Sequence, residues 1–407
     1  MHWRRLLTAT VAAATLVAPI QLAAPMANAD ESPSFYDTPT SLPAANGDLV
    51  RSEPSDFYLD PLHAIEVDAS VQRIMYRSTD RNDTPIAVTG TVITPDKAWS
   101  GPGRQRPVVA YAVGTQGLGD QCAPSRQLSG GSEYEGVFIA GLVARGYGVV
   151  VTDYQGLGTE GTHTYMSREV QGRAVLDSIR AAQRLSAANL PDAGPVAITG
   201  YSQGGGAAAS AAELAGSYSP ELKVKGVVAG AIPADLAKVA ENLDGSLYFG
   251  FLGYAVAGLA ESYDIDADSY LNAKGIEGMD ALEGQCLFDS IAQFGFTKSK
   301  TLTKDGRPIT DSLSQEPLRT AVAEQLIGNR KPSAPVLVTQ SVLDDVIPYD
   351  VGRGAAVRWC DRGATVRFAT NFAPTHVGGA IRSYPEAFAF LEARFAGLPA
   401  VSSCWRL

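Results

Sequence analysis

Residues Gly200-Tyr201-Ser202-Gln203-Gly204-Gly205-Gly206 contain the spacing G-x-S-x-G. Glycine makes up 41 of the 407 residues, so the pentapeptide says little until its surroundings are read. An apolar run at 196–200 precedes it, and small residues suited to a helix follow over 203–217. A serine on a sharp strand-to-helix turn is exposed for attack on a carbonyl, and flanking glycines relieve crowding between strand and helix. Its hydroxyl needs a base. The chain has four histidines. In the order serine, acid, histidine that accompanies such a turn, only His376 follows Ser202. It sits in Pro374-Thr375-His376-Val377-Gly378-Gly379, read as a loop between a strand at 365–368 and the last helix.

The imidazole needs a carboxylate to hold its tautomer and stabilise its charged form. The run 336–340 leads into Ser341-Val342-Leu343-Asp344-Asp345-Val346-Ile347-Pro348. Asp344 comes first off the strand, Asp345 is the reserve, and Asp350 reads as the cap of a helix starting near Val351. The developing oxyanion needs backbone N–H donors. The residue after the nucleophile, Gln203, supplies one, and the loop Gly114-Thr115-Gln116-Gly117-Leu118-Gly119 supplies the other.

Other chemistries are poorly served. Gly156-Leu157-Gly158-Thr159-Glu160-Gly161 has a dinucleotide-binding spacing. The acid that should follow about 20 residues on, at a strand end, is Asp177 inside a helical stretch. Cys122, Cys286, Cys360 and Cys404 include no C-x-x-C pair, so two disulfides of open connectivity are expected rather than a metal site. No cofactor is implied.

Strands that must position these residues fall at 107–113, 147–153, 196–200, 224–231 and 335–340, with helices at 133–145, 167–188, 203–217, 351–362 and 385–395. Apolar on both faces, the strands imply a parallel sheet covered by helices, with its site at their carboxyl ends. A hairpin spans 71–94 around Asp80-Arg81-Asn82-Asp83, and 30–60 reads as an irregular arm. From 233 to 332 no convincing strand occurs, which reads as a helical insertion lodged between two core strands. Its apolar stretch 248–260 is either a buried helix or part of an acyl-binding or lipid-facing surface.

At 45% hydrophobic and 19% charged residues the chain is globular in composition. Arg4 and Arg5, the apolar run 6–18 and Ala27-Asn28-Ala29 read as a leader over 1–29, cleaved after Ala29. The net charge of −10 becomes more negative without those arginines. It argues against nucleic acid and against electrostatic docking on anionic lipid. The chain is expected to be secreted.

Taken together, GYSQGG, Gly114-Thr115-Gln116-Gly117 with Cys122-Ala123-Pro124-Ser125, Asp153-Tyr154-Gln155-Gly156-Leu157-Gly158, Asp344-Asp345-Val346-Ile347-Pro348-Tyr349 and Thr375-His376 resemble the secretory lipase family. The resemblance runs from about Phe57 to Cys404. It implies an α/β-hydrolase fold with a core over 30–232 and 333–407 and a helical lid over 233–332, inserted after the sixth strand. It also implies Ser202 as nucleophile, Asp344 as acid, His376 as base, and the backbone N–H groups of Gln116 and Gln203 as oxyanion donors. Yeast members carry a carboxylate where this chain has Gln116. Disulfides Cys122–Cys286 and Cys360–Cys404 follow from the same resemblance. The expected activity is a secreted serine ester hydrolase acting on acylglycerols, able to meet a lipid interface through its lid, with no obligate protein partner. A short-chain esterase and an envelope acyltransferase are the alternatives, and retention at the cell envelope stays open.

Overall fold

β-branched residues pack well on a pleated, two-sided surface, and the valine-rich runs become the central strands. A computed structural model describes residues 34–407, of which Tyr36–Leu407 form one unit; the expected leader at 1–29 lies outside the described residues. The strands are β1 (Leu49–Ser55), β2 (Ala69–Thr79), β3 (Pro85–Pro95), β4 (Val108–Ala112), β5 (Gly148–Thr152), β6 (Pro195–Tyr201), β7 (Lys223–Gly230), β8 (Val336–Ser341) and β9 (Val366–Asn371). They form one sheet in the order β1-β2-β3-β5-β4-β6-β7-β8-β9. Every residue of β4, β5 and β8 is buried, as expected of strands covered on both faces. β2 and β3 make the expected hairpin, its turn fastened by Asp80 Oδ1 accepting from the N–H groups of Asn82 and Thr84. From β5 to β9 all neighbours are parallel.

The expected irregular arm at 30–60 contains β1, which pairs antiparallel with β2 at the sheet edge. Its composition hides it, because an edge strand tolerates Pro54 and keeps few apolar positions. One consequence is that the strand before the insertion, sixth in the sequence reading, is the seventh counted along the chain.

The helices are α1 (Pro124–Gly130), α2 (Gly136–Ala144), α3 (Arg168–Arg184), α4 (Gln203–Tyr218), α5 (Leu236–Leu243), α6 (Phe249–Tyr263), α7 (Ala273–Glu283), α8 (Leu287–Phe294), α9 (Leu318–Glu324), α10 (Tyr349–Asp361) and α11 (Thr375–Phe395). α3 and α4 pack together on one side of the sheet, α2 and α11 on the other. Between β7 and β8 lie α5 to α9 and, among the described residues, no strand. The stretch 248–260 becomes α6. Its Phe249, Phe251, Leu252 and Tyr254 are buried, and Phe251 and Leu252 also wall recesses that reach Ser202.

The last helix starts ten residues before its expected start at 385. Proline lacks the N–H of a helix interior, which is why Pro385 reads as a helix start. It nevertheless lies mid-helix on an exposed face, where water can satisfy the carbonyl that loses its partner. His376 is therefore a first-turn helical residue, not a loop residue. Asp350 is a first-turn residue of α10 rather than its cap, which is Pro348. It pairs with Lys238 Nζ at 3.2 Å and faces the positive helix end.

The disulfide Cys122–Cys286 helps join the insertion to the sheet core, and a second, Cys360–Cys404, lies within the core. Glu213 of α4, fully buried, accepts from Arg168 Nη2 at 2.8 Å, Gly328 N–H at 2.7 Å and Trp359 Nε1 at 2.8 Å.

Candidate active site

Ser202 stands between β6 and α4 with φ 60° and ψ −123°, a left-handed backbone that costs a non-glycine residue about 1–3 kcal/mol. The turn is possible because its neighbours lack a Cβ. One added at Gly204 would lie 1.9 Å from the carbonyl oxygen of Ala112, and one at Gly200 would lie 2.3 Å from that of Gly204. The glycines of the motif thus allow α4 to sit directly against β4 and β6.

His376 is 9% exposed, and its Nδ1 lies 2.9 Å from each oxygen of Asp344. The carboxylate cannot swing away. Asp344 Oδ1 accepts from Val346 N–H at 3.0 Å and Ile347 N–H at 2.8 Å, and Oδ2 from Gln340 Nε2 at 3.3 Å. With Nδ1–H donating to Asp344, Nε2 is the acceptor, and it is buried with no hydrogen-bond partner. Ser202 and His376 line one cavity of about 360 Å³, together with Gly114, Thr115, Phe138, Phe251, Leu287 and Ile381. Asp345, the reserve, acts elsewhere on the same histidine, its Oδ1 accepting the backbone N–H of His376 at 2.8 Å.

Gln203 is the first residue of α4, so its N–H has no partner within the helix. No sequence motif points to its side chain as part of the arrangement. Nε2 of Gln203 lies 3.0 Å from Nε2 of His163, whose Nδ1 lies 2.8 Å from the carbonyl oxygen of Gln155. Burial lowers the His163 pKa to about 4, so the ring is neutral, Nδ1–H donates to Gln155, and Nε2 accepts from Gln203. Gln116 is 3% exposed, and its side chain donates to Glu133 Oε1 at 3.2 Å and accepts from Gln127 Nε2 at 3.0 Å. Its carbonyl accepts from Leu287 N–H of the insertion at 2.8 Å, and Leu118 N–H donates to Gln285 O at 3.1 Å. Gly117, with φ 130°, makes this contact possible, since a Cβ would lie 2.3 Å from Gln285 O.

The glycine-rich run at 156–161 is a loop with positive φ at Gly156, Gly158 and Gly161, and no helix starts until Arg168. Asp177 is fully buried in α3 and accepts from Ser78, Tyr218 and Arg180. That is a structural network. Among the described residues no cluster of three or more His, Cys, Asp or Glu side chains could hold a metal ion.

A mostly parallel sheet with this strand order and a serine on the turn after a central strand defines the α/β-hydrolase class. The chain belongs to the secretory lipase family, whose model matches residues 125–403. A lipase is a carboxylic ester hydrolase. The chain is 28% identical to a secreted triacylglycerol lipase, LIP3, of Malassezia restricta, over 91% of this chain and 80% of the relative. It is 29% identical to a probable inactive lipase of Mycobacterium tuberculosis, over 90% and 82%. Lipase A of Candida antarctica in its closed state superposes with a TM-score of 0.80 at 25% identity, covering 90% of this chain and 87% of that one. A relative named inactive makes the residues of this chain the deciding matter. No described helix is long and apolar enough to cross a membrane.

Proposed function

We propose that this chain is a secreted triacylglycerol lipase working through Ser202, His376 and Asp344, over a core at 30–232 and 333–407 lidded by 233–332. The observation that carries the reading is the His376 ring. It is tied to Asp344 at 2.9 Å through Nδ1 while Nε2 stays unpartnered in the cavity that Ser202 lines. Ser202 Oγ attacks the ester carbonyl carbon as Nε2 takes its proton, and Asp344 stabilises the resulting imidazolium. Charge collects on the former carbonyl oxygen, where the backbone N–H groups of Gln203 and Gln116 receive it. Collapse breaks the C–O bond to the alcohol, which leaves with the proton from His376. Water, deprotonated by the same nitrogen, then frees the acid and restores Ser202.

Two apolar spaces meet at Ser202. The larger is the cavity of about 360 Å³. The other, about 30 Å³ and walled by Leu236, Val239, Phe251, Leu252 and Val346, runs beneath α6. Around the mouth of the larger space Val137, Val377 and Ile381 are exposed, as is Phe288 of the insertion, whose ring lies 6.5 Å from that of Tyr134. Such a rim suits a neutral lipid surface, while the net charge of −10 disfavours an anionic one.

The narrowness of the second space favours a second reading, a short-chain esterase. Initial rates on p-nitrophenyl esters from C2 to C16 and on emulsified triolein, with Ser202→Ala alongside, test both. Long-chain and emulsion activity lost in the variant supports the lipase. Activity confined to short esters supports the esterase, and undiminished turnover in Ser202→Ala removes the mechanism.

A further inference from the structure

Three consecutive residues grip three others in reverse order. Glu135 Oε2 accepts Gly114 N–H at 2.6 Å, Tyr134 OH donates to Thr115 O at 3.2 Å, and Glu133 Oε1 accepts from Gln116 Nε2 at 3.2 Å. The tripeptide precedes α2 as a turn, although the sequence pattern places it inside a helix from 133, and this contact is where its polar groups go. Gly114-Thr115-Gln116 belongs to the loop that serves the oxyanion. Both carboxyl groups are buried, at 7% and 4% exposure. They are asymmetric. Glu135 has both oxygens occupied, with Tyr111 and Tyr384 hydroxyls on Oε1 at 3.0 and 3.2 Å. Glu133 receives Gln116 and Glu135 N–H on Oε1, while Oε2 is buried with no hydrogen-bond partner. Neither the family's motifs nor the triad geometry gives these two acids a role.

We propose that Glu133 is a positioning residue that holds the Gln116 side chain, and through it the oxyanion backbone, as an uncharged acid. An ionised carboxylate with a bare oxygen in a dry site beside a second carboxylate is strongly disfavoured; protonated on Oε2, the acid keeps Oε1 as the acceptor for Gln116 and leaves an uncharged O–H, rather than a charge, without a partner. Burial, then repulsion from Glu135, raises the Glu133 pKa, and burial does the same for Glu135 against the bonds it accepts. The groups facing the pair are few. Asp153 after β5 lies toward Glu133, the Tyr134 and Tyr154 hydroxyls lie toward both acids, and Tyr111 of β4 with Tyr384 and His376 of α11 lie toward Glu135. No lysine or arginine is among the strongest influences on either acid. Rising pH therefore charges two adjoining acids in a dry site, and their mutual repulsion displaces Glu133 from the loop.

The inference rests on the reading of Ser202 as nucleophile, so wild-type protein is first labelled with a p-nitrophenyl phosphonate; absence of a Ser202 adduct overturns both. With labelling established, kcat and KM for p-nitrophenyl butyrate are measured from acid to alkaline pH for wild type, Glu133→Gln and Glu133→Leu, with thermal melts of each. The amide keeps an acceptor for Gln116 and cannot ionise. It retains most of the wild-type kcat at neutral pH and keeps it further into the alkaline range. The leucine variant loses about tenfold to a hundredfold in kcat with KM little changed, the direction expected when an oxyanion donor is misplaced. A Glu133→Gln profile that coincides with wild type at every pH overturns the inference, whether or not the leucine variant folds. So does a loss in Glu133→Gln as large as in Glu133→Leu, or an effect confined to KM.

Discussion

Asp345 Oδ1 accepts the backbone N–H of His376 at 2.8 Å, while its neighbour Asp344 holds the ring of the same residue. Adjacent carboxylates thus fix one histidine from two directions, one through the main chain at the start of α11 and one through Nδ1. Replacement of Asp344 by Asn offers Nδ1 an amide that can turn its N–H toward the ring and favour the wrong tautomer. It lowers kcat by about 10³–10⁴-fold. Asp345→Ala leaves the tautomer intact and costs about tenfold, through a less ordered ring. Steady-state kinetics of the two variants on one soluble ester separate these roles, and equal losses would contradict them.

His163 supplies a second prediction, in the acid range. Its pKa is lowered to about 4 by burial, so in the folded protein it stays neutral while an unfolded chain would protonate it near 6.5. The unfolded state therefore binds more protons between these values, and stability from this residue is present above pH 6.5 and lost as pH falls toward 4. Melting temperatures of wild type and His163→Phe across that window should converge at low pH. A constant gap would exclude the linkage.

Glu213 bears on the insertion. Without it, Arg168, the Trp359 indole and Gly328 N–H lose a buried acceptor together, and an arginine is left without its partner charge. Glu213→Ala should destabilise by about 3–5 kcal/mol, as removing one partner of a buried pair does. Urea unfolding measures the loss, and limited proteolysis should find new cleavage near Gly328.

The two disulfides should differ in their effect on activity. On the chain-entropy model, closing loops with separations of 164 and 44 residues stabilises by about 4–5 kcal/mol each. Cys122–Cys286 also pins the segment that bonds to Gln116 and Leu118. Paired replacement of Cys122 and Cys286 by Ala should lower both melting temperature and kcat, whereas paired replacement of Cys360 and Cys404 should lower the melting temperature alone. Calorimetry and ester turnover on the two double variants decide.

What the sequence by itself determined was local chemistry. A glycine-flanked serine after an apolar run admits one backbone, because only residues without a Cβ let α4 approach Ala112 and Gly230 so closely. With His63 and His163 ahead of Ser202, chain order left His376 as the candidate base, and the valine runs marked a parallel sheet because both of their faces must be covered. Tertiary structure decided whatever depends on residues far apart in the chain. Asp345 reaches His376 N–H, His163 reaches Gln203, and Glu133 reaches Gln116 only because the sheet order brings those loops to one end. The same holds for β1, whose partner lies across a loop, and for Pro385, whose cost depends on which face of α11 meets solvent. A residue type states what bonds it can make, and the fold alone sets which partner lies within about 3 Å to make them.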